Sequence, residues 1–283
     1  MNAMTVLVFS LLVFVGSLAA GLLGALTGLG GGVVLVPLLT LVFHVDIRYA
    51  IGASLISVIA TSSGAAAAYV REGFSSVRIG MFLEVATTLG ALLGAFLAAK
   101  VPTRALAMIF GGVLIYSSAL SWRSSRSKHV DAAIDNPSSD ALKLSGSYPG
   151  RDGQQIEYKV DRIPQGFAMM FGAGTLSGLL GIGSGAVKVL AMDRIMRIPF
   201  KVSTTTSNFM IGVTAAASAG IYLRRGYVDP GLAAPVMLGV LSGAVLGAKL
   251  LTRARVSVLR TVFSFVVLVL GVEMIVNGWL GRM

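Results

Sequence analysis

Apolar residues run in long stretches along this chain, at roughly 4–29, 32–43, 49–70, 79–99, 104–122, 165–182, 184–192, 202–223, 229–251 and 256–280. Most are close to 20 residues or longer. At 1.5 Å per residue, that length carries an α-helix through the hydrocarbon core of a bilayer. Polar residues gather in the short gaps between them. Two stretches, 32–43 and 184–192, are too short to cross alone, and each follows a Gly cluster. They read as half-helices or re-entrant pieces beside a broken helix. The expected fold is an all-α polytopic membrane protein.

The stretch 123–163 breaks this rhythm. Acidic residues (Asp131, Asp135, Asp140, Asp152, Glu157, Asp161) alternate with basic ones there, without apolar periodicity. It reads as an extramembrane linker, partly disordered. The domains expected are a first membrane repeat over 1–123, a polar linker over 124–163 and a second membrane repeat over 164–283. Ser17-Leu18-Ala19-Ala20 resembles a signal-peptide cleavage site, but no basic region precedes it. The first segment is read as a mature helix.

The two halves align with each other. A shift of 153 residues superposes 21–110 on 174–263 without a gap, with about 22 identities. Gly28, Gly30 and Gly32 fall on Gly181, Gly183 and Gly185, and Ser54 falls on Ser207. Tyr69-x-Arg71-x-Gly73 falls on Tyr222-x-Arg224-x-Gly226. The expected architecture is therefore two tandem homologous halves of four to five membrane segments each, with Gly-broken or re-entrant half-helices. Duplicated halves with breaks at matching places are the signature of a secondary transporter, with substrate held between the halves. If the short segments dip in and return to the side they left, each half crosses four times and the repeats are parallel. If each completes a crossing, the repeats are inverted. The inverted case gathers about 17 of the 23 Lys and Arg on one side. It is the arrangement expected from the positive-inside rule, although short loops alone give the parallel case a similar bias.

Composition agrees. Of 283 residues, 55% are hydrophobic and 12% charged, against about 25% charged in a soluble domain; mean hydropathy is +0.84. The net charge of +11 sits in connections between apolar segments, which argues for membrane orientation and against nucleic acid. There is no Cys, and His44 and His129 are the two His. Thiol chemistry is excluded, and a multi-His metal centre is not expected. No cofactor and no enzymatic centre are expected.

The candidate chemistry lies where hydrophobicity fails. Gly28, Gly30, Gly31 and Gly32 in one half, and Gly181, Gly183, Ser184 and Gly185 in the other, free backbone N–H groups. They also start half-helices whose positive ends point inward, which suits an anion. Close helix packing by small residues is the competing reading. A dinucleotide fingerprint fails, because neither a strand nor a suitably placed acid accompanies the glycines. Lys188, matching Leu35 of the first half, is either aimed at an anionic substrate or snorkels outward with Arg194 and Arg197. Ser54 and the run Thr204, Thr205, Ser207, Asn208 could line a pathway or bond neighbouring helices. Glu84 is the candidate coupling carboxylate, with Glu273 behind it; either could instead be interfacial. Arg71 and Arg224 with their Tyr neighbours, and Trp122 and Trp279, read as interface anchors.

These residues resemble the TauE/SafE sulfite exporter family. The resemblance is carried by Gly28-x-Gly30-Gly31-Gly32 ahead of Val36-Pro37, with its degenerate copy at 181–190. The run Ala50 to Leu55, before an Ala-rich helix ending in Tyr69-x-Arg71-x-Gly73, fits too. It covers both hydrophobic halves and not the linker. Ser184 and Leu190 depart from the pattern in the second half. The resemblance implies a multi-pass permease of the prokaryotic cytoplasmic membrane for small anions such as sulfite, organosulfonates or related carboxylates. The partners expected are that substrate and the lipid bilayer, with a homo-oligomer left open. The alternative is a membrane subunit or scaffold of a larger transport complex.

Overall fold

The computed structural model describes residues 3–27, 31–71, 76–124, 144, 146–149, 154–251 and 256–281. α1 (Ala3–Thr27) is followed by the short α2 (Gly32–Pro37), which widens into a π-turn over Leu38–Val42. α3 (Ile47–Arg71), α4 (Val77–Ala98) and α5 (Thr103–Ser124) come next. A hairpin of β1 (Gly146–Pro149) and β2 (Gln155–Tyr158) leads into α6 (Ile163–Leu180). The short α7 (Gly185–Leu190) has its own π-turn over Ala191–Ile195. α8 (Phe200–Arg224), α9 (Pro230–Leu251) and α10 (Val256–Leu280) close the described chain. α2, its π-turn, α3 and α4 begin and end 153 residues before α7, its π-turn, α8 and α9. The π-turn forms both after Pro37 and after Leu190, so proline is not what opens it.

Each short helix turns back beside the long helix before it. Phe9 of α1 meets Phe43, just past the first π-turn, edge to face at 6.0 Å. In the other half the Asp161 amide donates to the Met196 carbonyl at 3.0 Å, and the Arg197 guanidinium lies 3.8 Å from the Asp161 carboxylate. These two broken pairs open toward opposite ends of the molecule. At the first end Arg48 donates to the Val101 carbonyl at 3.1 Å and stacks on Tyr227, while Arg225 donates to the Ala95 carbonyl at 2.9 Å. At the second end the Ser76 amide donates to Thr206 Oγ1 at 3.1 Å. Local chemistry sets the helix starts. Asp46 accepts from the Arg48 amide, and Asp229 accepts from the Gly231 amide with Pro230 in the first turn, each at 2.8 Å. These are the side-chain cap and the N1 proline that favour a helix start.

α1 lies along α9, α4 along α6 and α5 along α10, while α3 packs on α8 at the centre. The first two pairs are backbone-close. A Cβ on Gly90 would sit 2.1 Å from the Phe171 carbonyl oxygen, and one on Gly174 2.1 Å from that of Thr87. In the other pair the same places are taken by Gly243 on Leu18, at 2.0 Å, and Gly21 on Val240, at 2.3 Å. Small residues bring membrane helices this close, gaining dispersion and Cα–H···O contacts that larger side chains would prevent.

The outside is apolar, and the interior sets a few polar side chains among apolar ones. Leu7 and Leu11 on α1, Met81 and Val85 on α4, and Phe265 and Val272 on α10 are exposed, whereas Ser54, Ser57, Thr214 and Lys188 are buried beside Leu35, Ile51 and Leu83 in the same interior. An apolar exterior is what hydrocarbon solvent demands. Thr5–Gly24, Val77–Ala98 and Pro230–Gly247 are long and apolar enough to cross a membrane.

The linker holds more structure than its composition suggests. Residues 125–143 lie outside the described residues. Beyond them, Tyr148 and Tyr158 of the hairpin are buried and join Leu144 and Val160 against Ile79, Leu83, Met192 and Met196. With one inward residue on each short strand, the period-2 signal is too brief to stand out among the linker charges.

Candidate functional site

The second break is a tight reversal. Gly181, Gly183 and Ser184 have φ of 68°, 69° and 44°. This left-handed region costs an ordinary residue energy and glycine little. A Cβ on Gly181 would also strike Ile51 Cγ2 at 2.7 Å. The reversal ends α6 inside the molecule and lets α7 start there. Ser184 caps α7 with its Oγ buried and without a hydrogen-bond partner.

One turn along α7 stands Lys188, which is 0% exposed. Side chains lean toward the N-terminus of their helix, so its ammonium reaches back to the centre. It does not snorkel outward with Arg194 and Arg197. Lys188 Nζ donates to Thr214 Oγ1 of α8 at 2.6 Å. Thr214 Oγ1 in turn lies 2.7 Å from Glu84 Oε1 of α4 and 2.8 Å from the carbonyl oxygen of Met210. Thr88 donates to the same Glu84 oxygen at 3.1 Å. Glu84 is 7% exposed, and its Oε2 has no partner. An ammonium and a carboxylate are thus held in the interior with a threonine hydroxyl between them. Isolated, either charge would be far too costly there; bridged, they compensate each other.

The two breaks meet at Ser54. Its hydroxyl donates to the Gly181 carbonyl at 2.9 Å, and a Cβ on Gly32 would lie 2.7 Å from Ser54 Oγ. Ser207 donates to the Gly185 carbonyl at 3.3 Å. In this conformation both serine protons are committed to carbonyls of the second break. Gly31 is the cap residue of α2; Gly28 and Gly30 lie outside the described residues. Gly183 and Gly185 both face Ile211. The run 204–208 stands nearer the second end. Thr204 and Thr205 donate to the Phe200 and Val202 carbonyls of their own helix, at 2.8 and 3.1 Å, and Asn208 is half-buried there. At 1.5 Å rise, these residues are about 9–15 Å along α8 from Thr214. The structure therefore joins Lys188 to Glu84 and Ser54 to the breaks, and leaves Thr204 and Thr205 apart from Lys188.

One side chain departs from expectation. Tyr222 is not an interface anchor: it is buried, and its phenol donates to the Gly178 carbonyl at 3.2 Å, which ties α8 to the end of α6. Arg224, two residues on, is exposed, as is Trp279. The side chains of Arg71 and Trp122 lie outside the described residues. The apolar pattern does not mark Thr214. The available signal was its identity with Thr61 at the 153-residue shift. Glu273 lies with His44, Asp46 and Asn277 on a cavity of about 770 Å³ at the first end, away from Lys188.

A family model described as sulfite exporter TauE/SafE matches residues 13–274. The probable membrane transporter protein YunE of Bacillus subtilis is 27% identical over 277 residues, covering 95% of this chain and 98% of that one. YdhB of the same organism, also named a probable membrane transporter protein, is 26% identical over 230 residues, with 81% and 85% covered. The probable membrane transporter protein MJ0441 of Methanocaldococcus jannaschii is 24% identical over 282 residues, with 95% and 96% covered. No solved structure matches the chain.

Proposed function

This chain belongs to the sulfite exporter TauE/SafE family of membrane transporters, and on that premise we propose that it is a secondary-type permease for a small anion. The substrate class is a sulfur oxyanion, an organosulfonate or a related carboxylate. The observation that carries this reading is Lys188, an ammonium at 0% exposure beside the break that opens α7. Thr214 occupies one of its three donors. A cation is retained in an apolar interior where it has an anion to meet, fixed or mobile. Ser184, one turn before it on the same helix face, adds a buried hydroxyl without a protein partner.

The two halves are read as copies of one unit in inverted orientation. The broken pairs open to opposite ends, and α3–α5 and α8–α10 are three further traverses in each half. Transport then follows from one half moving against the other around the breaks. Among the described residues Lys and Arg are concentrated toward the end bearing the hairpin, which supports a cytoplasmic side for that end, and the family supports reading the whole as a multi-pass protein of the prokaryotic cytoplasmic membrane.

The test is flux through the purified protein in liposomes, with labelled sulfite and methanesulfonate as probes. Uptake or counterflow of at least one is expected, and Lys188→Ala is expected to reduce it far more than Lys100→Ala. Absence of flux for both, under every ion gradient, would sink the proposal. Equal losses in the two variants would remove Lys188 from the site.

A further inference from the structure

We infer that Glu84 is a proton-binding site coupled through Thr214 to the anion site at Lys188, so that one proton travels with each anion. This rests on the anion-permease reading and adds the coupling ion to it.

The first support is hydrogen-bond accounting at Thr214. A hydroxyl donates once and accepts twice. Thr214 Oγ1 lies 2.6 Å from Lys188 Nζ, 2.7 Å from Glu84 Oε1 and 2.8 Å from the Met210 carbonyl oxygen. With Glu84 ionised, the Thr214 proton points to Oε1, and the carboxylate offsets the ammonium across the bridge. With Glu84 protonated, its new O–H donates to Thr214 Oγ1, which still accepts from Lys188, and the Thr214 proton turns to Met210. One hydroxyl hydrogen rotates and no side chain moves. The proton adds to the carboxylate to give the acid, and no other bond forms or breaks. The cluster changes from neutral to singly positive. The added charge sits on an ammonium whose other two donors have no protein partner among the described residues. An anion arriving then restores neutrality. Proton binding and anion binding favour each other, as linkage requires of two ligands with a shared charge balance.

The second support is the bare Oε2 of Glu84, buried and without a partner. An unsatisfied buried carboxylate oxygen calls for an explanation, and a carboxyl that spends part of the cycle as the neutral acid, protonated on Oε1, supplies one, because a neutral carbonyl oxygen costs less to leave bare than an anionic one. The third is asymmetry. At the 153-residue shift, Lys188 matches Leu35 and Glu84 matches Met237, while Thr214 matches Thr61. The pair occurs once, with one member from each half, on elements expected to move relative to each other.

The neighbouring elements bring little competing charge. α6, packed along α4, has no ionisable side chain from Ile163 to Leu180. α8 carries Lys201, Tyr222 and Arg224, all at least eight residues from Thr214. Asp193 and Arg194, past α7, pair with each other at 3.6 Å. Arg78 stands in the first turn of α4. Among the described residues Lys188 is the charge acting on Glu84.

The experiment uses the full chain in pyranine-loaded liposomes, with the potential clamped at zero by potassium and valinomycin. The probes are methanesulfonate, a monoanion throughout the working pH range, and sulfite. Methanesulfonate entry is expected to acidify the lumen. A gradient with acid outside should drive accumulation of about tenfold per pH unit for one proton per anion. Glu84→Gln should exchange methanesulfonate at a rate that no longer varies with pH, and should lose the gradient-driven accumulation. Thr214→Ser should retain the coupling and Thr214→Val should lose it. If Glu84→Gln does not fold, the wild-type lumen signal decides alone. Anion entry without acidification overturns the inference and leaves the permease reading standing, as does an unchanged pH profile in Glu84→Gln. No movement of either probe overturns both.

Discussion

Lys188 and Glu84 are expensive apart and tolerable together. Breaking a buried pair by removing one partner costs about 3–5 kcal/mol, whereas replacing both with neutral groups is often close to neutral. Lys188→Met is therefore expected to lower the melting temperature in detergent, and Lys188→Met with Glu84→Gln to recover most of the loss. An additive double variant would mean the bridge through Thr214 carries no coupling energy. Both charges were visible in the sequence, because an ionisable residue inside an apolar stretch stands out. Thr214 was not. In a membrane helix the lipid face and the protein face are both apolar, so the pattern around a hydroxyl does not say which way it points. Tyr222 misled for the same reason: a Tyr near a helix end looks like an anchor whether it meets headgroups or, as here, the Gly178 carbonyl.

Helix pairs are set by glycine contacts that differ sharply within one helix. On α6, a Cβ at Gly174 would lie 2.1 Å from the Thr87 carbonyl oxygen, while one at Gly172 meets nothing within 4 Å. Gly174→Ala is expected to cost about 1–3 kcal/mol by forcing α4 and α6 apart. Gly172→Ala should be neutral or stabilising by about 0.5–1 kcal/mol. Thermal unfolding of the two variants checks this; equal melting temperatures would mean the helices are not packed as described. The segments themselves were legible, since polar gaps and Gly clusters bound them: the stretch 49–70 became Ile47–Arg71, and 202–223 became Phe200–Arg224. The hairpin was not, because its strands are four residues each and its inward side chains are spaced among charges. Tyr158→Ala removes a buried ring beside Ile79 and Met192. A loss of about 3 kcal/mol is expected, whereas a tolerated truncation would make the hairpin an ornament of the linker.

At the scale of the molecule, the arrangement assigns each connection to one end. The absence of Cys makes this testable without background. Single cysteines at Val45 and Asp229 should react with an impermeant maleimide from one side of the membrane, and those at Lys159 and Arg194 from the other. Labelling of all four from the same side would end the inverted reading. The gapless 153-residue shift made two units expected. Charge made the inverted placement the expectation, but segment length did not decide it, because it leaves open which end each short helix returns to.

The glycine crossings join halves rather than neighbours: α1 waits for α9, and α4 for α6. A ribosome delivers α1 well before α9. Until Gly243 is inserted, Leu18 and its turn of α1 have no mate, and the nascent first half rests in lipid with its closest-fitting faces bare. A chain stalled within the linker is thus a biosynthetic intermediate that the bilayer can hold but cannot complete. The two halves made as separate polypeptides should survive only when produced together.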